Sequence, residues 1–131
     1  MTSRIAWLAL LLLAVPGAAT AGGVNGSKPM LCAVTETVEC AYEGECIHGS
    51  AEDVNVPPFV VVDPKAKQLS EHRGERKSPV QTVFEKDGQV VLQGYEKRAW
   101  SMAISKETGR LSATATGPEA GFVVFGICTD L

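Results

Sequence analysis

Histidine is scarce in this chain: 131 residues contain two, His48 and His72. No catalytic acid–base set is spelled out around either one. No G-x-S-x-G elbow, phosphate-cradling glycine loop or His-x-x-x-His pair occurs anywhere in the sequence. The local signatures of hydrolases, nucleotide-binding enzymes and metallopeptidases are therefore missing. An excess of positive charge is missing too. From Gly22 onward, 11 Lys and Arg face 15 Asp and Glu, a net charge of −4 that gives no general attraction to nucleic acid or to an anionic membrane. Aromatic residues make up only 6%, and Trp100 is the one tryptophan beyond residue 21. Over the same stretch no segment sustains a 3.6-residue apolar repeat, so no substantial helix is predicted.

What is present begins with Arg4 and the apolar run Ile5 to Val15, closed by Pro16-Gly17 and by Ala19-Thr20-Ala21. A short basic start, an apolar core and an A-x-A site together read as a secretory signal. The run is about a dozen residues long, against the roughly 20 that a bilayer-spanning helix needs. Cleavage is expected after Ala21, leaving 110 residues with no stable membrane insertion. The first cysteine, Cys32, lies too far on for lipoprotein processing. Periplasm or medium is the implied location.

All four cysteines, Cys32, Cys40, Cys46 and Cys128, fall beyond the signal. In an oxidising compartment an even number reads as disulfides, here two, with three possible pairings. Cys40 with Cys46 is favoured because Ala41-Tyr42-Glu43-Gly44-Glu45 can turn back tightly. That leaves Cys32 with Cys128, joining the first strand to the last. The competing arrangement is a metal site from Cys40, Cys46 and His48, but the spacing matches no common zinc pattern. No metal or other cofactor is expected.

Residues 22–29, rich in glycine with Asn25 and Pro29, have the composition of a flexible N-terminal arm, and residues 30–131 form a single β domain. From Met30 the parity is regular. Cys32, Val34, Glu36, Val38 and Cys40 share one face, and Thr35, Thr37 and Glu39 the other. An inward Glu36 would need a partner, unless a bulge shifts the register. Residues 47–56 read as a polar connection. Phe59 to Asp63 carries β-branched residues on both faces, which suggests a strand covered on both sides. Asp63-Pro64-Lys65-Ala66-Lys67 is a turn, and Gln68 to Ser70 a short return strand. Pro79 to Glu85 and Gln89 to Gln93 flank Asp87-Gly88, a strong hairpin signal. Arg98 to Ile104, Arg110 to Thr116 and Phe122 to Cys128 complete about eight strands. Short links imply an all-β antiparallel meander, and pairing of its ends through Cys32 and Cys128 predicts a small closed or nearly closed barrel.

In the strand around Trp100, large residues (Trp100, Met102, Ile104) face one way and small ones (Ala99, Ser101, Ala103, Ser105) the other. The large set is expected in the core. The alternative makes the small face part of a cavity. Two loops stand out as candidate binding elements. One holds Glu71, His72, Arg73, Arg76 and Lys77, the densest mixed-charge segment, and the other holds Tyr42 and Glu43 between the two close cysteines.

Pro57-Pro58-Phe59 leading to Val62-Asp63, Val91-Leu92-Gln93-Gly94, Ala99-Trp100-Ser101-Met102 through Thr108-Gly109-Arg110-Leu111-Ser112, and the closing Gly121-Phe122-Val123-Val124-Phe125-Gly126-Ile127-Cys128 resemble a group of small exported bacterial proteins. That group carries no assigned activity, so the resemblance implies a bacterial exported domain and transfers no catalytic residue. Taken together, the sequence predicts a non-enzymatic binding protein of the periplasm or medium. Its partner would be a protein met through the loops or a small apolar ligand in a barrel mouth. The alternative is an enzyme of unrecognised type that uses His48 or His72 on a cell-envelope or extracellular substrate.

Overall fold

β-branched and aromatic residues alternating with polar ones, and punctuated by Gly, Pro and Asp, give ten strands in the computed structural model, which describes residues 22–131. The predicted export signal lies outside the described residues. The strands are β1 (Met30–Ala41), β2 (Cys46–Gly49), β3 (Phe59–Asp63), β4 (Gln68–Glu71), β5 (Lys77–Pro79), β6 (Thr82–Lys86), β7 (Gln89–Glu96), β8 (Arg98–Ser105), β9 (Arg110–Thr116) and β10 (Ala120–Asp130). A single 3-10 turn, Glu52–Val54, is the helical element among the described residues.

All ladders are antiparallel and follow the order β5-β4-β3-β1-β10-β9-β8-β7-β6, a half-barrel sheet with β2 added beside β1. Its two edges, β5 and β6, are joined by Val80-Gln81. Val80 N–H donates to Lys67 O and Gln81 N–H to Gln93 O, each at 2.9 Å, so the chain leaves one edge and arrives at the other still hydrogen-bonded. Counted as one bent strand, β5 and β6 bring the path to eight, the number the sequence suggests. The further strand is β2, hidden in what reads as a polar connection. At the predicted β6–β7 hairpin, Asp87 and Gly88 take φ of 51° and 72°, the positive values a two-residue type I′ turn requires.

The two disulfides join Cys32 to Cys128 and Cys40 to Cys46, each pair directly opposite across its ladder. The favoured pairing is thus present. The expected parity of β1 is not. Between Val34 and Glu36 the β1–β10 register slips by one residue at Thr35, a β-bulge that exchanges the two faces for the rest of the strand. Thr37, assigned by alternation to the face opposite Cys32, is 1% exposed, and its hydroxyl donates to Ser50 O at 2.9 Å. Glu36 turns outward. Cys32 and Cys40, of equal parity in sequence, end on opposite faces: Cys32–Cys128 lies in the core, and Cys46 of the other bridge is exposed.

The inner face gathers Met30, Cys32, Val62, Val90, Leu92, Met102, Ile104, Leu111 and Cys128, with Trp100 packed against them. The large set of β8 is therefore core. Met30, Leu92 and Ile104 are fully buried, and burial of each such side chain stabilises the fold by about 1.5–3 kcal/mol. Gly94, opposite Trp100, has to be glycine, because a Cβ there would run into the indole ring and the Pro79 carbonyl. β3 departs from expectation: Val60 and Val62 face the core, while Phe59 on its other face is exposed. Residues 22–29 form no strand, yet Val24 is 5% exposed within the core, and its N–H donates to Lys106 O at 2.9 Å.

Candidate functional site

Small side chains set between larger ones leave a hollow on a sheet face. On the outer face β8 and β9 present Ala103, Ser105 and Ser112, and β10 presents the larger Phe125 and Ile127 on either side of the Gly126 backbone. Thr35, the bulged residue, forms part of the rim. The result is a recess of about 520 Å³ that opens broadly to solvent. The register explains its shape. Ser112 sits opposite both Ala103 and Phe125, so one cross-strand row runs small-small-large and ends in a wall. Arg110, opposite Ile127, is the one charged residue lining the recess among the described residues. It takes part in no ion pair among the described residues. Phe125 and Ile127 remain 42% and 40% exposed, large apolar side chains that the fold itself does not cover.

The two candidate loops leave the sheet in the same direction but differ in character. Glu71 ends β4 and is held by Arg76, whose Nε lies 3.2 Å from the carboxylate. That hydrogen bond keeps the Glu71 carboxyl below the ordinary glutamate range, against a smaller opposing effect of burial. Arg76 also donates to Asn55 O at 3.1 Å, and His72 N–H to Phe59 O at 3.0 Å, while Arg73 takes a positive φ of 61°. Lys77 opens β5. This loop is internally paired, and its charges are partly spent on itself.

The segment between Cys40 and Cys46 is the tip of the β1–β2 hairpin. Ala41 N–H donates to Glu45 O at 2.8 Å, and Tyr42 N–H to Glu119 O at 2.9 Å, so the tip is fixed while the Tyr42 ring stands 83% exposed beside Glu43. Residues 41–48 are all exposed, which makes this hairpin, rather than Glu71 to Lys77, the more open of the two loops.

His48 and Glu36 meet on the outer face, with Nδ1 2.6 Å from Oε1. The sequence missed this pairing because the bulge that brings Glu36 out is invisible to alternation. Cys40 and Cys46 are bonded to each other and so are not metal ligands, and no group of His, Cys, Asp and Glu among the described residues is arranged to hold a metal ion. No helix among them is long and apolar enough to cross a membrane. No protein-family model, curated protein or solved structure matches this chain.

Proposed function

We propose that this chain is an exported, non-enzymatic binding protein of the periplasm or medium, and that it meets a protein partner on the outer face of its sheet. Two formed disulfides suit an oxidising compartment. The observation that carries the reading is the contrast between the faces. The inward positions are filled by buried and half-buried side chains packed on one another, whereas Phe125 and Ile127 stay uncovered around a broad recess. Small ligands are held in sites that enclose most of their surface, and a wide, shallow hollow with exposed apolar walls suits a protein surface better. The alternative is an enzyme of unrecognised type that uses His48 or His72, and the side chain hydrogen-bonded to the His48 imidazole is the Glu36 carboxylate rather than a hydroxyl or thiol. The test is chemical crosslinking in the native extracytoplasmic fraction. The paired change Phe125→Asp and Ile127→Asp should abolish capture of the partner, and His48→Ala with His72→Ala should leave it intact. Undiminished capture by the Phe125/Ile127 variant would overturn the proposal.

A further inference from the structure

We propose that the recess beside Arg110 receives the β1–β2 hairpin tip of a second copy of this chain. The inference rests on the docking face assigned above and names its occupant. A mostly apolar hollow with one guanidinium, unpaired among the described residues, suits a large apolar or aromatic side chain flanked by carboxylates. The chain itself carries that combination. Tyr42, 83% exposed, stands with Glu43 and Glu45 on the tip. Between Lys28 and Lys65 there is no Lys or Arg at all, against seven acidic residues, so the segment that carries the tip holds no basic side chain of its own.

The tip is also prepared for docking. The Cys40–Cys46 bridge clasps its base, and Gly44 N–H donates to Ala41 O at 2.9 Å across it. Little conformational freedom is left to lose on binding, which is a principal cost of association. It cannot serve its own recess. Ala41 pairs with Ala120 at the start of β10, while the recess lies at Phe125 to Ile127, roughly 17–24 Å further along the strand. The complementary surfaces therefore meet between molecules. One hairpin in one recess is a small interface, so association is weak and shows in concentrated solution.

A charge swap tests this by sedimentation velocity on the disulfide-bonded protein from Gly22 onward. The wild type should sediment faster as concentration rises toward about the millimolar range expected of so small a contact. Arg110→Glu alone, and Glu43→Lys with Glu45→Lys alone, should each weaken association by about tenfold or more, because each sets like charges against each other. An equimolar mixture of the two should associate again, since each then offers a tip of opposite sign to the other's recess. Restoration on mixing separates lost complementarity from lost folding. A wild type that stays monomeric throughout, variants that associate as the wild type does, or a mixture that fails to recover would overturn the inference. The docking-face reading fails separately, through undiminished partner capture by the Phe125/Ile127 variant.

Discussion

The two disulfides differ in the length of chain they close, and that difference sets a measurable ranking. Cys32 and Cys128 are 96 residues apart, and Cys40 and Cys46 are 6 apart. Loop-closure entropy removed from the unfolded chain then gives about 4.7 kcal/mol for the first bridge and about 2.2 kcal/mol for the second. Replacing each pair with alanine should therefore separate the two variants by about 2.5 kcal/mol, or roughly 10 °C in Tm for a domain of this size. The buried position of Cys32 and Cys128 pushes the same way, because removing their sulfurs also leaves a cavity in the core. Reversible urea unfolding followed by circular dichroism provides the check, with each stability extrapolated using its own m value. That slope should rise in the Cys32/Cys128 variant, whose unfolded state is free to expand, and stay near the parent value in the other. Equal losses of stability, or a larger loss from the hairpin pair, would show that loop closure is not what these bridges contribute.

The bulge in β1 and the loop after β4 give two further predictions. Thr37→Val should cost about 1 kcal/mol, because it removes the hydroxyl that satisfies Ser50 O while preserving shape. Val38→Thr, on the outer face, should be close to neutral, and paired chemical denaturation curves would show the reverse order if β1 alternated without a bulge. For Glu71, the hydrogen bond from Arg76 lowers the folded-state pKa below its unfolded value, so the stabilisation is present above the unfolded value and is lost as pH falls through the folded one. Arg76→Gln should move the NMR titration midpoint of Glu71 upward toward the ordinary glutamate range. Asp53, held low by the Ser50 N–H and hydroxyl, should not move. An unchanged Glu71 midpoint would refute the assignment of that shift to Arg76.

Local signals made most of the framework legible. Asp87-Gly88 demands positive φ and so announces the β6–β7 hairpin, and Asp63 accepts a hydrogen bond from Ala66 N–H at 2.9 Å as the β3–β4 turn chemistry predicts. Cysteine spacing and compartment together gave the bridges. β2 was hidden because Cys46 to Gly49 is too short to show a period, and it becomes a strand only by lying against β1. β5 and β6 read as one strand because they are one continuous piece of chain that changes partner midway, at Val80-Gln81.

The candidate site was harder to see, for a physical reason that begins with Thr35. Alternation assigns faces by counting, and one extra residue reverses every later assignment, so parity alone leaves open whether Glu36 points inward or a bulge turns it out. On β10 the count itself carries no information, since Phe122 to Ile127 is apolar on both faces apart from glycine. Outward Phe125 and Ile127 therefore look the same as inward Val124 and Cys128 until the sheet curls. The small residues of β8 were the one visible trace. Ala103 and Ser105 cannot fill the space in front of the Phe125 wall, so the surface that sinks there belongs to the face opposite the core. A sheet that needed only to fold could cover Phe125 and Ile127 with a longer arm or replace them with a polar residue, as at the outward Thr114 of the adjacent β9. Leaving two apolar side chains exposed beside an Arg110 that is unpaired among the described residues lowers solubility without adding to the core, and the proposed docked partner would satisfy both.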